Sequence, residues 1–299
     1  MVFAAIDIGS NAGRLLVSSV FEKNNRFITE KITMVRVPLR LGFDVFNNGY
    51  ITKKKQDILL RTFEAYSQLM NVYQPKDFIA YATESLRKAS NGLEIVELIK
   101  KETGVTLNII DGIKEAEVIS NAGNSNLIKK HPNSMYVDVG GGSTEISWFE
   151  GNERVMVKSF KIGTIRLLLD KVSREDWDEM KKWVQNIRKN DNDKINCICS
   201  GGNINKLTKL YGNRNKNTLT YSQLTEGHSF LEGYPIEYRI EKLGLRADRA
   251  DVIVPAAIIF KKLMKWGNIQ EIHAPKIGFA DGLIIELYKK YNNIPSILL

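Results

Sequence analysis

Short apolar strands open the chain, and the same rhythm returns after residue 130. Residues 2–8, 14–22 and 30–39 read as three strands: alternation and β-branched residues mark the first two, and Ile32, Met34, Val35, Val37 and Leu39 mark the third. Residues 135–139, 144–149 and 153–160 repeat the triplet, with Gly151-Asn152 at its second turn. Between the triplets the apolar spacing changes to three and four. Lys53–Tyr73 carries Ile58, Leu59, Phe63, Tyr66, Leu69 and Met70 on one helical face, and a helix over 91–102 lies between strands at 76–82 and 105–110. Further on, Ser173 caps a helix bearing Trp177, Met180, Trp183, Val184 and Ile187. A strand at 194–199 then runs into Gly201-Gly202, and residues 248–265 read as a helix that Pro255 kinks or splits. This alternation predicts an α/β protein, with mixed sheets and helices packed on them.

At 299 residues the chain exceeds the size at which single cores stop growing, so two domains with a cleft between them are expected. Two related meanders, each opening on a similar hairpin, predict that these domains are duplicates folded around a shared crevice. No Pro- or Ser-rich linker separates them. The expected crossings fall near residues 124 and 284, giving one domain of 1–124 plus 285–299 and a second of 125–284.

Composition narrows the class. With 43% hydrophobic residues the chain can bury proper cores, yet it has no run of about 18 apolar residues and no signal-peptide layout. The expectation is a cytoplasmic protein with no membrane partner. Cys197 and Cys199, one residue apart on one face of a strand, read as core thiols. His131, His228 and His273 lack metal-ligand spacing and receive no catalytic role. A formal charge of +9 favours a polyanionic partner, but the basic residues are scattered in pairs such as Lys129-Lys130 and Arg188-Lys189, and no nucleic-acid motif accompanies them.

The candidate chemistry sits at strand ends. Ile6-Asp7-Ile8-Gly9-Ser10-Asn11 and Val137-Asp138-Val139-Gly140-Gly141-Gly142-Ser143-Thr144 share one design: an apolar strand, a terminal carboxylate, then a turn of small residues. Such turns suit phosphate, because bare backbone lets N–H groups approach an anion while Ser, Thr and Asn add short donors. Ser10 and Asn11 are donors of the first loop, with Arg14 at its mouth. Gly141, Gly142, Ser143 and Thr144 form the second. A carboxylate repels phosphate, so Asp7 and Asp138 are expected to hold a divalent cation or a water beside it. Glu145 flanks the second loop as a further cation ligand or as an ordinary exposed strand residue.

Three further segments follow strands. Asp111-Gly-Ile-Lys-Glu115-Ala-Glu117 opens a helix; its acidic first turn either complements the helix dipole or presents a carboxylate that activates an attacking water. Thr83, Ser85 and Arg87 stand where α/β sheets bind ligands. Ser200-Gly201-Gly202-Asn203 repeats the strand-to-glycine pattern, with amides positioned for another phosphate.

Taken in order, DIGSNAGRLL, ATESLRKASNG, DGIKEAEVI, VDVGGGSTEIS, FKIGTIRL, CSGGNINKL and RADRADVIVPAAII resemble the exopolyphosphatase/guanosine pentaphosphate phosphatase family. The resemblance implies the actin-like ATPase (ribonuclease H-like) superfold, two duplicated α/β domains closing on a central cleft. It implies Mg²⁺-dependent hydrolysis, or hydrolysis with another divalent cation. The substrate would be the terminal phosphoanhydride of linear polyphosphate or the 5′ γ-phosphate of guanosine pentaphosphate. Glu115 matches the family's catalytic carboxylate, Arg14 and Arg87 its phosphate-binding arginines, and Asp138 and Glu145 the acidic positions around the metal. Gly141, Gly142, Ser143 and Thr144 match its second phosphate loop. Glu117 stands where many members carry arginine. A homodimer is reasonable on the same grounds, and a non-hydrolytic actin-like phosphate- or nucleotide-binding protein is the alternative from another class.

Overall fold

Six of the seven residues of Val2–Ile8 (β1) are buried. That is what a strand covered on both faces requires, and it is why the segment is almost continuously apolar. In the computed structural model, which describes residues 1–23, 26–120, 127–128, 131, 133–187 and 195–294, β1 is the middle strand of a five-stranded sheet ordered β3-β2-β1-β4-β5. Gly13–Lys23 (β2) and Arg26–Val37 (β3) continue it as an antiparallel meander. Phe78–Ala82 (β4) and Asn108–Ile109 (β5) extend it in parallel.

Among the described residues, five helices precede residue 121: Leu41–Asn48 (α1), Lys53–Tyr73 (α2), Glu84–Lys88 (α3), Gly92–Thr103 (α4) and Gly112–Ser120 (α5). The apolar face of α2 puts Leu59, Phe63 and Tyr66 at zero exposure in the core of this unit, beside Ile6, Leu15 and Val17. The apolar marks of β3 are divided differently. A bulge opposite Val17 and Ser18 shifts the register, and Ile32 and Met34 lie 45% and 49% exposed on this edge strand.

The second sheet has six strands, ordered β10-β11-β9-β6-β7-β8. Asn133–Val139 (β6), Thr144–Glu150 (β7) and Glu153–Phe160 (β8) form its antiparallel meander. Asn196–Ser200 (β9) is parallel to β6, Glu271–His273 (β11) is parallel to β9, and Thr218–Thr220 (β10) closes the edge. Its helices are Thr164–Leu168 (α6), Arg174–Asn186 (α7), Gly202–Tyr211 (α8), Tyr221–Glu232 (α9), Ile236–Glu241 (α10), Ala247–Ala250 (α11) and Ile253–Trp266 (α12). Ser173 caps α7 as expected, in a reciprocal box with Asp176. The single helix expected over 248–265 is instead α11 and α12. Pro255 lies in the first turn of α12, where the missing N–H removes no helical bond, so it starts the second piece. Cys197 and Cys199 are free and buried in the core, with sulfurs 3.6 Å apart.

The chain divides into one unit of Met1–Ala122 plus Gly278–Leu299 and another of Gly123–Ile277. The return therefore falls at residue 278, not 284, because Phe279–Tyr291 (α13) packs along its length on β1, β2 and α5. The crossing expected near residue 124, and the pairs Lys129-Lys130 and Arg188-Lys189, lie outside the described residues. Among the described residues no helix is long and apolar enough to cross a membrane.

Candidate functional site

The two opening hairpins are built alike. Gly9 N–H donates to the Ala12 carbonyl at 3.1 Å, and Gly140 N–H donates to the Ser143 carbonyl at 2.9 Å, so the same three-residue bond closes each turn. The carboxylate ending the first strand then faces a different partner in each copy. Asp7 lies opposite Arg14 in the β1–β2 register, whereas Asp138 lies opposite Glu145 across β6 and β7.

In the first unit, parallel pairing of β1, β4 and β5 brings three strand ends to one sheet edge. Thr83 N–H donates to the Ile8 carbonyl at 3.1 Å, and Ile110 N–H to the Ala82 carbonyl at 3.0 Å, tying the first loop to the segments before α3 and α5. Arg87 secures the same junction from its side chain. Its guanidinium donates to the Glu84 carboxylate and to the Ile110 carbonyl. Glu84 is itself 4% exposed, a buried carboxylate that sequence reasoning did not single out, since an acidic first turn of a short helix has no distinguishing pattern. One turn into α5, Glu115 is 9% exposed, while Asp111 accepts from the Lys114 amide at 2.7 Å as the helix cap. Glu117 is paired with Lys114, which also reaches Glu286 at 3.2 Å, so its charge is met by a cation of its own helix.

Asp7, expected among the cation ligands, is buried, and its carboxylate is in a salt bridge with Arg14 that orients the guanidinium. Ser10 is 3% exposed, and the Ser10 and Asn11 carbonyls accept from the Gly42 and Arg40 amides at 2.9 Å each, so the start of α1 supports the first loop.

In the second unit, β6 runs between β7 and β9, and its end meets both the Gly140–Ser143 turn and the Ser200–Gly202 segment. Ser200 pairs with Asp138 in register and donates its hydroxyl to that carboxylate, placing Gly201-Gly202 directly beside it. Gly201 has φ 105°, a conformation that favours glycine, and a Cβ there would stand 3.2 Å from Asp138 Oδ1. Glu145 is only 2% exposed, so it is not an ordinary surface strand residue. Ser159, its neighbour on β8, donates to it at 2.7 Å.

The glycine loop is strapped from one side. The amides of Thr164 and Ile165 donate to the carbonyls of Gly140 and Gly141 at 3.0 and 2.8 Å, and Arg166 Nε donates to the Gly142 carbonyl at 2.7 Å. A Cβ on Gly163 would fall 2.4 Å from the Gly142 carbonyl carbon, so the strap approaches only because residue 163 is bare. Thr144, expected in the second loop's donor set, is fully buried, and its hydroxyl donates to the Ile162 carbonyl at 2.6 Å, bracing the loop. Ser143 and the amides of Gly141 and Gly142 are left as the loop's donor set. Ser159, Arg166 and the bond from Ser200 to Asp138 escaped the sequence reading because they depend on which strands and loops become neighbours.

Two meanders ending in matched turns of small residues, with carboxylates at the strand ends, define an α/β protein in which each unit carries its helices on one mixed sheet. The Ppx/GppA phosphatase family model matches residues 19–291, and the chain belongs to that family of phosphoanhydride hydrolases. It is 24% identical to Exopolyphosphatase 1 of Mycobacterium tuberculosis, with 95% of this chain and 88% of that protein covered. It is 27% identical to the bifunctional 3-dehydroquinate synthase/phosphatase of Fusobacterium nucleatum over 88% of this chain, which spans 43% of that relative's length. Among solved structures, an exopolyphosphatase from Cytophaga hutchinsonii superposes with a TM-score of 0.82 at 22% identity, covering 99% of each chain. The Aquifex aeolicus Ppx/GppA family member gives 0.77 at 24% identity, covering 98% of this chain and 99% of that one. At these identities the structures establish the fold.

Proposed function

We propose that this protein releases orthophosphate from the end of linear inorganic polyphosphate, using a carboxylate-activated water and a divalent cation. The observation that carries the reading is the Asp138–Glu145 pair. Two carboxylates directly opposed beside a glycine turn, in a family whose curated relatives include exopolyphosphatases, suit a cation that accompanies phosphate. Their oxygens are the hard donors that Mg²⁺ prefers, and a bound cation would neutralise charge on phosphate oxygens.

The remaining roles follow from donor type. Arg14, held by Asp7, and Arg87, held by Glu84, offer guanidinium N–H groups to phosphate oxygens, as do Ser10, Asn11, Thr83 and Ser143 and the amides of Gly141, Gly142, Gly201 and Gly202. Glu115 takes the proton of a water whose oxygen attacks the terminal phosphorus. The bridging P–O bond breaks, giving orthophosphate and a chain shorter by one unit. Two free thiols suit the reducing cytoplasm in which we place the enzyme.

The test is phosphate release from polyphosphate and from guanosine pentaphosphate, with and without Mg²⁺, by wild type and Glu115→Gln. Turnover of polyphosphate that needs the cation and falls by about 10² to 10⁴ in Glu115→Gln is expected. Full activity in that variant would remove Glu115 from the mechanism. Turnover of the nucleotide alone would overturn the substrate.

A further inference from the structure

The first loop is tied to α1 through a residue in an unusual conformation. Arg40, which caps the start of that helix, has φ 55° and ψ 38°, in the left-handed region. Among the described residues five other non-glycine residues have a positive φ. Four of them are Asn or Asp, whose short polar side chains tolerate it, and Gln74 ends a helix, where a left-handed residue is a common cap. Of the six, Arg40 alone begins a helix. An arginine has no local reason to adopt that backbone, so its surroundings impose it. Leu39 and Leu41 are fully buried on either side, Lys55 Nζ donates to the Leu39 carbonyl at 2.6 Å, and the Arg40 guanidinium carbon stands 4.1 Å from the centre of the Phe43 ring.

That backbone turns two amides of one short stretch onto the same loop. Arg40 N–H donates to the Asn11 carbonyl and Gly42 N–H to the Ser10 carbonyl, at 2.9 Å each. A planar trans peptide unit carries its C=O and its N–H on opposite sides. With the Ser10 and Asn11 carbonyls fastened to the start of α1, the N–H groups of the same two units, those of Asn11 and Ala12, point away from it. The bond from Gly9 N–H to the Ala12 carbonyl closes the turn, so the two units are held together.

We infer that Arg40 is a positioning residue, whose left-handed main chain holds the first loop so that the Asn11 and Ala12 amides present their N–H groups to a phosphate oxygen. The inference rests on the phosphate chemistry proposed above. The operative part is the main chain at residue 40, and the guanidinium stacked on Phe43 keeps it in place. Strain held beside a binding loop is what aiming donors before the anion arrives requires, because donors already in place need no reorganisation when charge develops.

The experiment compares Arg40→Gly and Arg40→Asn, which accept a left-handed backbone without the guanidinium, with Arg40→Val, whose β-branch excludes it. Protein carrying heavy nitrogen in its alanine and asparagine amides is titrated with inorganic orthophosphate and Mg²⁺, so that no turnover is required. In parallel, kcat and KM for polyphosphate are measured well below Tm. Orthophosphate should shift the Asn11 and Ala12 amide signals in wild type, Arg40→Gly and Arg40→Asn, and leave them in place in Arg40→Val. The kcat/KM of Arg40→Gly and Arg40→Asn should fall by about threefold at most, for the lost stack on Phe43. That of Arg40→Val should fall by about tenfold or more, mainly in kcat, because misaimed amides are missed most in the transition state. Signals that stay in place in wild type would overturn the inference. So would a loss in Arg40→Gly or Arg40→Asn of about tenfold, which makes the side chain the operative group and decides the matter even where Arg40→Val does not fold. Orthophosphate shifts that depend on residue 40, in a protein that releases no phosphate from polyphosphate, would leave the positioning role standing and remove the hydrolase reading.

Discussion

Asp138 and Glu145 face each other directly across the β6–β7 ladder, two like charges in a position where opposed residues share one face of the sheet. In the first hairpin the same place is filled by Asp7 and Arg14, a salt bridge. The two hairpins therefore share the carboxylate at the strand end and differ in the residue opposite it, a cation in the first and an anion in the second. Serines on both flanking strands, Ser200 and Ser159, hydrogen-bond the two acids without neutralising them.

Glu145→Gln removes one of the opposed charges while keeping the shape and the Ser159 contact. In EDTA the variant is expected to melt slightly above wild type, by the equivalent of about 0.2–1 kcal/mol of relieved repulsion. Its Mg²⁺ affinity should fall by more than about tenfold. Differential scanning fluorimetry across a Mg²⁺ series, beside phosphate release, reads both effects. A variant that gains no stability and keeps its Mg²⁺ response would show that the pair does not hold a cation.

The half-buried Arg87 and the buried Glu84 form an ion pair, and Arg87 also fixes the segment before α5 through the Ile110 carbonyl. Arg87→Ala takes the guanidinium away from a carboxylate that is 4% exposed, so a loss of about 1–3 kcal/mol is expected. Adding Glu84→Gln should recover most of that stability without restoring phosphate release, because the guanidinium offered to phosphate is still missing. Recovery of activity in the double variant would make Arg87 a brace alone.

Both hairpins, the helix over Lys53–Tyr73 and the cap at Ser173 could be read from local pattern, because strand periodicity, helical spacing and capping chemistry act within a few residues. What local pattern could not show was adjacency. Asp138 gains Ser200 only because β9 inserts beside β6, and the Gly140–Gly142 turn gains its strap only because Gly163–Arg166 folds back over it. The neighbours of Asp7 and Thr144 were hidden for the same reason: Arg14 pairs with the one, and the Ile162 carbonyl accepts from the hydroxyl of the other. Short helices such as α3 and α6 carry too few residues for a periodic signal.

Gly163 tests the strap. Its backbone is extended, with φ −141°, so the need for glycine is spatial, not conformational. Gly163→Ala places a methyl group 2.4 Å from the Gly142 carbonyl carbon and 2.5 Å from the Gly141 carbonyl oxygen, which must push the two segments apart. A cost of about 1–3 kcal/mol is expected, with phosphate release falling further than stability alone explains, since the displaced residues are the loop's own donors. Thermal melting and kcat measured well below Tm separate the two. Normal kcat in the folded variant would show that the loop tolerates displacement.

His228 sets a pH limit on the second unit. It is 7% exposed, its Nδ1 lies 3.3 Å from Lys261 Nζ and 3.9 Å from Glu232, and its Nε2 is buried without a hydrogen-bond partner among the described residues. Burial, and then the Lys261 ammonium, push its pKa below the ordinary histidine value, with Glu232 opposing them more weakly. The unfolded chain therefore binds a proton that the folded protein resists, and stability falls as pH drops below about 6.5 until the folded-state pKa is passed. One such proton contributes at most about 1.4 kcal/mol per pH unit. His273, whose pKa is lowered by burial as well, adds a slope of the same sign. His228→Gln keeps an acceptor for Lys261 and removes the titration. Its Tm should decline less steeply than that of wild type between about pH 6.5 and 5, with the two curves running parallel above about pH 7. Curves that stay parallel through the whole range would place the acid sensitivity elsewhere.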